Sequence, residues 1–137
     1  MTAHRLTVAA RAAFVVFALV LVTLTHWPNL ELDIEVIERP DLVAHFGAFG
    51  LWTALLIGAS FFGPMLSTRN IATAGAVACV YAPLDELTQG IPGVNRHVSA
   101  LDLLANLSGV VAAVLCAMLV ARIRQRAVAR RVDESAS

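Results

Sequence analysis

The chain has 137 residues and no net formal charge, with 58% of its residues in the hydrophobic set and 15% charged; its mean hydropathy is +0.75. A soluble domain carries about 45–50% apolar and about 25% charged residues, so this composition excludes an ordinary water-soluble globule and points to the bilayer as solvent. At roughly 20 apolar residues per crossing, the length holds one domain over 1–137 with about four spans, and nothing is left for a separate soluble domain.

The first apolar stretch, about 12–27, follows Arg5 and Arg11. It ends in Thr25-His26-Trp27-Pro28 with no small-x-small cleavage pattern, so it reads as a retained helix and not as a signal peptide. Being short, it is expected to extend back through Val8, with Arg11 snorkelling to the headgroups and Trp27 at the opposite interface. Further apolar stretches at about 42–62, 71–89 and 99–121 complete an all-α, polytopic membrane bundle of four predicted transmembrane helices. The tail, 122–137, is rich in arginine.

Arginine placement sets the orientation, because positively charged segments stay cytoplasmic. Arg5 and Arg11 precede the first span, Arg69 lies between the second and third, and Arg122, Arg124, Arg126, Arg130 and Arg131 follow the fourth. Both termini are therefore expected on the cytoplasmic side of the cell (inner) membrane, with the acidic segment Glu31, Asp33, Glu35, Glu38, Asp41 and the loop at 90–98 outside. The zero net charge resolves into eight arginines and two acids on one side and two arginines and eight acids on the other. The tail reads as a topology determinant in contact with anionic headgroups, and no charge run is long enough to predict a nucleic-acid partner.

Small residues recur at four-residue spacing, as Gly50, Ala54, Gly58 in the second span and Ala105, Gly109, Ala113, Ala117 in the fourth. Such stripes let helix backbones approach closely within a bundle, and they leave the oligomeric state undetermined. Cys79 and Cys116 both lie in apolar stretches, where a thiol behaves as a small hydrophobe, so no disulfide is expected.

Ionisable groups inside a span are costly and need a reason. They are Asp41 and His45 on the second span, Asp85, Glu86 and Gln89 on the third, and Asp102 and Asn106 on the fourth, with Arg96 and His97 in the adjoining loop. Asp41/His45, Asp85/Gln89 and Asp102/Asn106 are each four residues apart, so each pair occupies one helix face. With antiparallel neighbours, all three pairs fall within about two turns, roughly 10 Å, of the external surface. A single extracytoplasmic polar pocket is predicted. Asp41 after Pro40 also reads as a helix cap, and Ser99-Ala100-Leu101-Asp102 as a capping box. Asp85 and Glu86 stand where the helix dipole disfavours negative charge and need cations, for which an Arg96 ion pair closing the 90–98 loop is the expected solution. No His-Glu-x-x-His or comparable ligand motif is present, so no metal is expected, and without a glycine-rich phosphate loop no nucleotide or other cofactor is expected.

The run Asp41-Leu42-Val43-Ala44-His45-Phe46, then Tyr81-x3-Asp85-Glu86-x2-Gln89, Pro92-Gly93, Arg96 and Asp102-x3-Asn106-x2-Gly109 resembles the VanZ-like family of small bacterial membrane proteins. It covers about 40–113, over half the chain. The resemblance implies a helical membrane bundle in a cell-envelope setting, with a connection to low-level glycopeptide (teicoplanin) resistance. Leu42 stands where the family commonly has lysine and Phe49 where it often has an aromatic hydroxyl, which leaves Arg96 and the histidines as the main counter-charges. The expected function is binding or modification of a lipid-linked or peptidoglycan-related envelope molecule. In it His45, Glu86 and Asp85 act on the substrate, and Arg96, Asp41, Gln89, His97, Asp102 and Asn106 bind it. The alternative is a non-catalytic accessory or assembly protein whose polar cluster is structural; a transporter ranks third, for want of a discontinuous helix.

Overall fold

A computed structural model describes residues 3–28, 39–92, 94 and 98–136. Among these, four helices follow one another: α1 (Ala3–Thr25), α2 (Pro40–Ala59), α3 (Thr68–Gln89) and α4 (Ala100–Ala136), with no strand. Three of the four, α1, α2 and α4, are long and apolar enough to cross a membrane. In α3 the last turns carry Asp85, Glu86 and Gln89, and alanine and glycine take up much of the rest, which lowers its hydropathy. α2 and α4 form the most extensive pair, α1 lies along α2, and α3 packs on both α4 and α2.

Each boundary has a local cause. Pro40 opens α2 at a position where a missing amide costs nothing, and Asp41 in the first turn faces the positive end of the dipole. α2 stops at Ala59, three residues before the apolar run ends, because Ser60 takes a left-handed conformation (φ 54°) and its amide closes onto the Ile57 carbonyl. Gly63 follows at φ 149°, a backbone region that side chains rarely tolerate. The turn is folded around Asn70, which is fully buried. Its amide nitrogen donates to the carbonyls of Ile57 (2.9 Å) and Met65 (3.0 Å), and its oxygen accepts from the Phe62 amide (3.2 Å). Ser67 caps α3 by accepting from the Asn70 amide at 3.2 Å, so the helix starts at Thr68, ahead of the apolar run.

Two expectations for the arginine-bearing end change. Arg11 is not left to headgroups alone: its Nε donates to the Ala59 carbonyl at 3.1 Å, and its guanidinium lies 5.1 Å from the centre of the Phe61 ring. A cation at the carbonyl end of α2 satisfies an orphan acceptor and complements the dipole. Nor does α4 end with the apolar run at 121; it continues without a break to Ala136. Arginine, alanine and glutamine sustain a helix as well as leucine does, and no glycine or proline follows Gly109.

The core is built from Leu21 of α1, Phe49, Trp52, Leu56 and Ile57 of α2, Ile71, Ala74, Ala78 and Ala82 of α3, and Val110 and Ala121 of α4. An aromatic ladder runs through it. Phe14 meets Trp52 edge-on at 5.2 Å, Trp52 stacks on Tyr81 at 4.9 Å, and Tyr81 stacks on Phe49 at 5.8 Å. Outside, Val16, Leu19, Val80, Leu104, Leu115 and Leu119 are all exposed, a surface apolar all round, as lipid-facing helices require. The small-residue stripes meet inside the bundle. A Cβ on Gly109 would lie 2.2 Å from the Phe46 carbonyl oxygen and 2.9 Å from the Gly50 amide nitrogen, so α2 and α4 touch backbone to backbone.

Candidate functional site

The end of α1, the start of α2, the end of α3 and the start of α4 share one end of the bundle, and there the polar residues converge in three linked groups.

Asp85 is the hub of the first, and it is 2% exposed. Its Oδ1 accepts from the Tyr81 hydroxyl and the Thr25 hydroxyl, both at 3.1 Å, and its Oδ2 accepts from Gln89 Nε2, also at 3.1 Å. Tyr81 and Gln89 lie one turn to either side of Asp85 on the same face of α3, so the four-residue spacing is used in both directions. His26 completes the group: Nε2 lies 2.9 Å from Thr88 Oγ1, and Nδ1 lies 3.0 Å from both the Val22 carbonyl and Thr25 Oγ1. A carbonyl only accepts, so the Nδ1 of His26 carries hydrogen, 4.0 Å from Asp85 Oδ1.

The second group joins α2 to α4. His45 Nδ1 pairs with Asn106 Oδ1 at 3.0 Å, and its Nε2 faces Asp102 Oδ2 at 3.8 Å. Asp102 and Asn106, one turn apart on α4, thus hold the two edges of one imidazole. The Gly109 contact with Phe46 adjoins this pair and sets the helix separation that it needs.

Glu86 makes the third group and ties α3 to α4. Its Oε1 accepts from the Ser99 amide at 2.6 Å, while Ser99 Oγ accepts from the Asp102 amide at 3.2 Å. The capping box is therefore split: Ser99 performs its half, but the acid that serves the Ser99 amide comes from another helix. Asp102 is released from capping and turns to His45. Glu86 is also within electrostatic reach of Asp102, His45 and Asp85, which joins the three groups into one cluster.

Among the described residues, four side-chain atoms with no solvent exposure lack a partner, and three belong to this cluster: Glu86 Oε2, Asp102 Oδ1 and Asn106 Nδ2. The fourth, the indole nitrogen of Trp52, lies in the aromatic ladder beneath. An orphaned buried polar group forfeits about 1–3 kcal/mol, so these three atoms mark where the cluster keeps hydrogen-bonding capacity that its described neighbours do not use.

His45, Asp85, Glu86, Gln89, Asp102 and Asn106 are thus brought together. Asp41 is not among them: it is half exposed and receives a two-point hydrogen bond from Arg39, Nε to Oδ1 at 3.2 Å and Nη2 to Oδ2 at 2.9 Å. That bond and the charge of Asp41 hold the Arg39 guanidinium above its ordinary pKa. Arg96 and His97, with the expected Arg96 ion pair, lie outside the described residues, as do Gly93 and the acids Glu31 to Glu38. Among the described residues no group of three His, Cys, Asp or Glu side chains is placed to hold a metal ion.

Sequence reasoning passed over Thr25, His26 and Thr88. The available signal was topological, since a first helix running antiparallel to the second ends at the polar end and brings its terminal residues with it. No family model, no curated protein and no solved structure matches the chain.

Proposed function

We propose that this chain is a VanZ-like protein of the cell (inner) membrane, crossing it four times with both termini cytoplasmic. Its polar end faces outward and binds or chemically modifies a lipid-linked or peptidoglycan-related envelope component, in a role connected with glycopeptide resistance. α3 serves as the remaining span, its polar turns shielded by α1, α2 and α4. The arginine asymmetry between the two ends supports the orientation.

The observation that carries the reading is the trio of buried atoms near His45 that have no partner among the described residues. Glu86 Oε2 and Asp102 Oδ1 accept, and Asn106 Nδ2 donates. A hydroxyl-bearing head group presenting two donors and one acceptor satisfies all three. In this reading His45 and Glu86 exchange protons with the bound group, Asp102 and Asn106 orient the imidazole, and Asp85 fixes the third helix through Thr25, Tyr81 and Gln89. By sequence, Arg96 and His97 are the cations that lie along the chain between Glu86 and Asp102.

The test is the pair Glu86→Gln and His45→Ala, scored for teicoplanin susceptibility and for the profile of lipid-linked precursors. Both variants are expected to shift both readouts, and wild-type behaviour in both overturns the proposal. A second reading, an accessory protein whose cluster is interhelical glue, draws on Asp85, which is satisfied by three donors from two helices. Membrane polar contacts average about 0.6 kcal/mol in measured cycles, so glue alone is a weak return for three clustered acids. Under that reading the variants lose folding yield before any envelope phenotype.

A further inference from the structure

We propose that the α4 extension, 122–136, is the docking face for an acidic amphipathic helix of a partner protein. A helix of 37 residues is about 56 Å long, whereas a hydrocarbon core is about 30 Å thick, so α4 as a span leaves this segment standing outside the bilayer. Every side chain from Arg122 to Ser135 is exposed. At about 100° per residue, Gln125, Val128, Ala129 and Val132 form an uncharged stripe about 100° wide, whose large apolar side chains are the two valines. Val128 and Val132 are 62% and 60% exposed.

The stripe continues a face already in use. Ala121 belongs to the bundle core, and Gln125, Val128 and Val132 follow it at four, three and four residues, the spacing of a coiled-coil seam. Arginines line both edges, Arg124 and Arg131 on one side, Arg122 and Arg126 on the other. Arg122, Arg126 and Arg130 also repel one another at successive turns, a cost that acidic side chains on a partner remove. This charge pattern selects the occupant. A second copy brings five arginines against five, and lipid headgroups reach only the first turn beyond the span, since laying the rest on a lipid surface requires the helix to bend where there is no glycine or proline to bend it. An acidic helix with apolar seam residues matches both the stripe and its edges.

The full chain in phosphatidylcholine nanodiscs is titrated with a synthetic three-heptad peptide carrying leucine in the seam and glutamate on both flanks, and with its lysine counterpart. The acidic peptide is expected to bind and the basic one not to. Val128→Asp with Val132→Asp, and separately Arg124→Glu with Arg131→Glu, each weaken binding about tenfold or more, while Arg124→Lys with Arg131→Lys retains it. Helix content by circular dichroism stays unchanged, since all four side chains are exposed on the helix. Full affinity in the valine pair reduces the interaction to bulk charge and overturns the proposal. So does self-association through this face in sedimentation, or a probe at Val128→Cys that enters lipid in phosphatidylglycerol discs while the acidic peptide fails to bind.

Discussion

Replacing Gly109 with alanine puts a methyl group 2.2 Å from the Phe46 carbonyl oxygen and 2.9 Å from the Gly50 amide nitrogen. Both obstacles are backbone, so no rotamer change relieves them, and ordinary contact near 3.4 Å requires α2 and α4 to separate by about 1 Å. One turn away, His45 Nδ1 and Asn106 Oδ1 are 3.0 Å apart, and the same displacement takes them to about 4 Å, beyond hydrogen bonding. Overpacking costs about 1–3 kcal/mol, the lost interhelical bond about 0.6–1.7 kcal/mol, and the better helix propensity of alanine returns about 1 kcal/mol. The net expectation is a destabilisation of about 1–3 kcal/mol, or roughly 5- to 150-fold in the folding equilibrium. Reversible unfolding in mixed micelles, followed by tryptophan fluorescence, measures it. Gly58→Ala and Gly47→Ala are the controls, because a Cβ at either meets nothing within 4 Å, and both are expected to be neutral or slightly stabilising. Asn106→Ala combined with Gly109→Ala should be non-additive, because the second change breaks a bond that the first has already removed. Equal effects of Gly109→Ala and Gly58→Ala, or full additivity with Asn106→Ala, would refute the reasoning.

Glu86→Gln retains an acceptor for the Ser99 amide and should keep thermal stability near wild type, whereas Glu86→Ala leaves that amide unpaired and lowers stability by about 1–3 kcal/mol in a detergent melt. Asp85→Asn sets an amide donor against either Gln89 or the Thr25 and Tyr81 hydroxyls and should cost about 1–3 kcal/mol; Tyr81→Phe removes one donor only, at about 0.5–1.5 kcal/mol, and a reversed order in the same melts argues against Asp85 as the hub. Arg11→Ala removes the capping bond to Ala59 and the contact with Phe61, for about 1–3 kcal/mol, with Arg11→Lys intermediate; equal stability of the three proteins would place the guanidinium among headgroups after all.

Apolar runs located all four helices because length and hydropathy are local properties. Four-residue spacing likewise placed Asp85 with Gln89 and Asp102 with Asn106, since one turn of helix needs no tertiary information. Partner choice between helices was less legible. Ser99 and Asp102 carry a capping-box signature, yet the Ser99 amide goes to Glu86, thirteen residues earlier, because α3 ends beside the start of α4. Nothing in the sequence around Asn70 marks it, because its three side-chain hydrogen bonds depend on the turn between α2 and α3. The length of α4 was underestimated because hydropathy reports where apolar residues end, while a helix ends where propensity or capping stops it.

The aromatic ladder gives the molecule an intrinsic optical channel. Of its two tryptophans, Trp27 is exposed, while Trp52 is stacked 12° from parallel on Tyr81, whose hydroxyl is bonded to Asp85. Any change in the hydrogen bonding of Asp85 therefore reaches a buried fluorophore through one ring. Unlabelled protein carrying Trp27→Phe reports on its own polar end by emission wavelength and intensity, and titration of candidate envelope molecules can be followed without attaching anything to the chain.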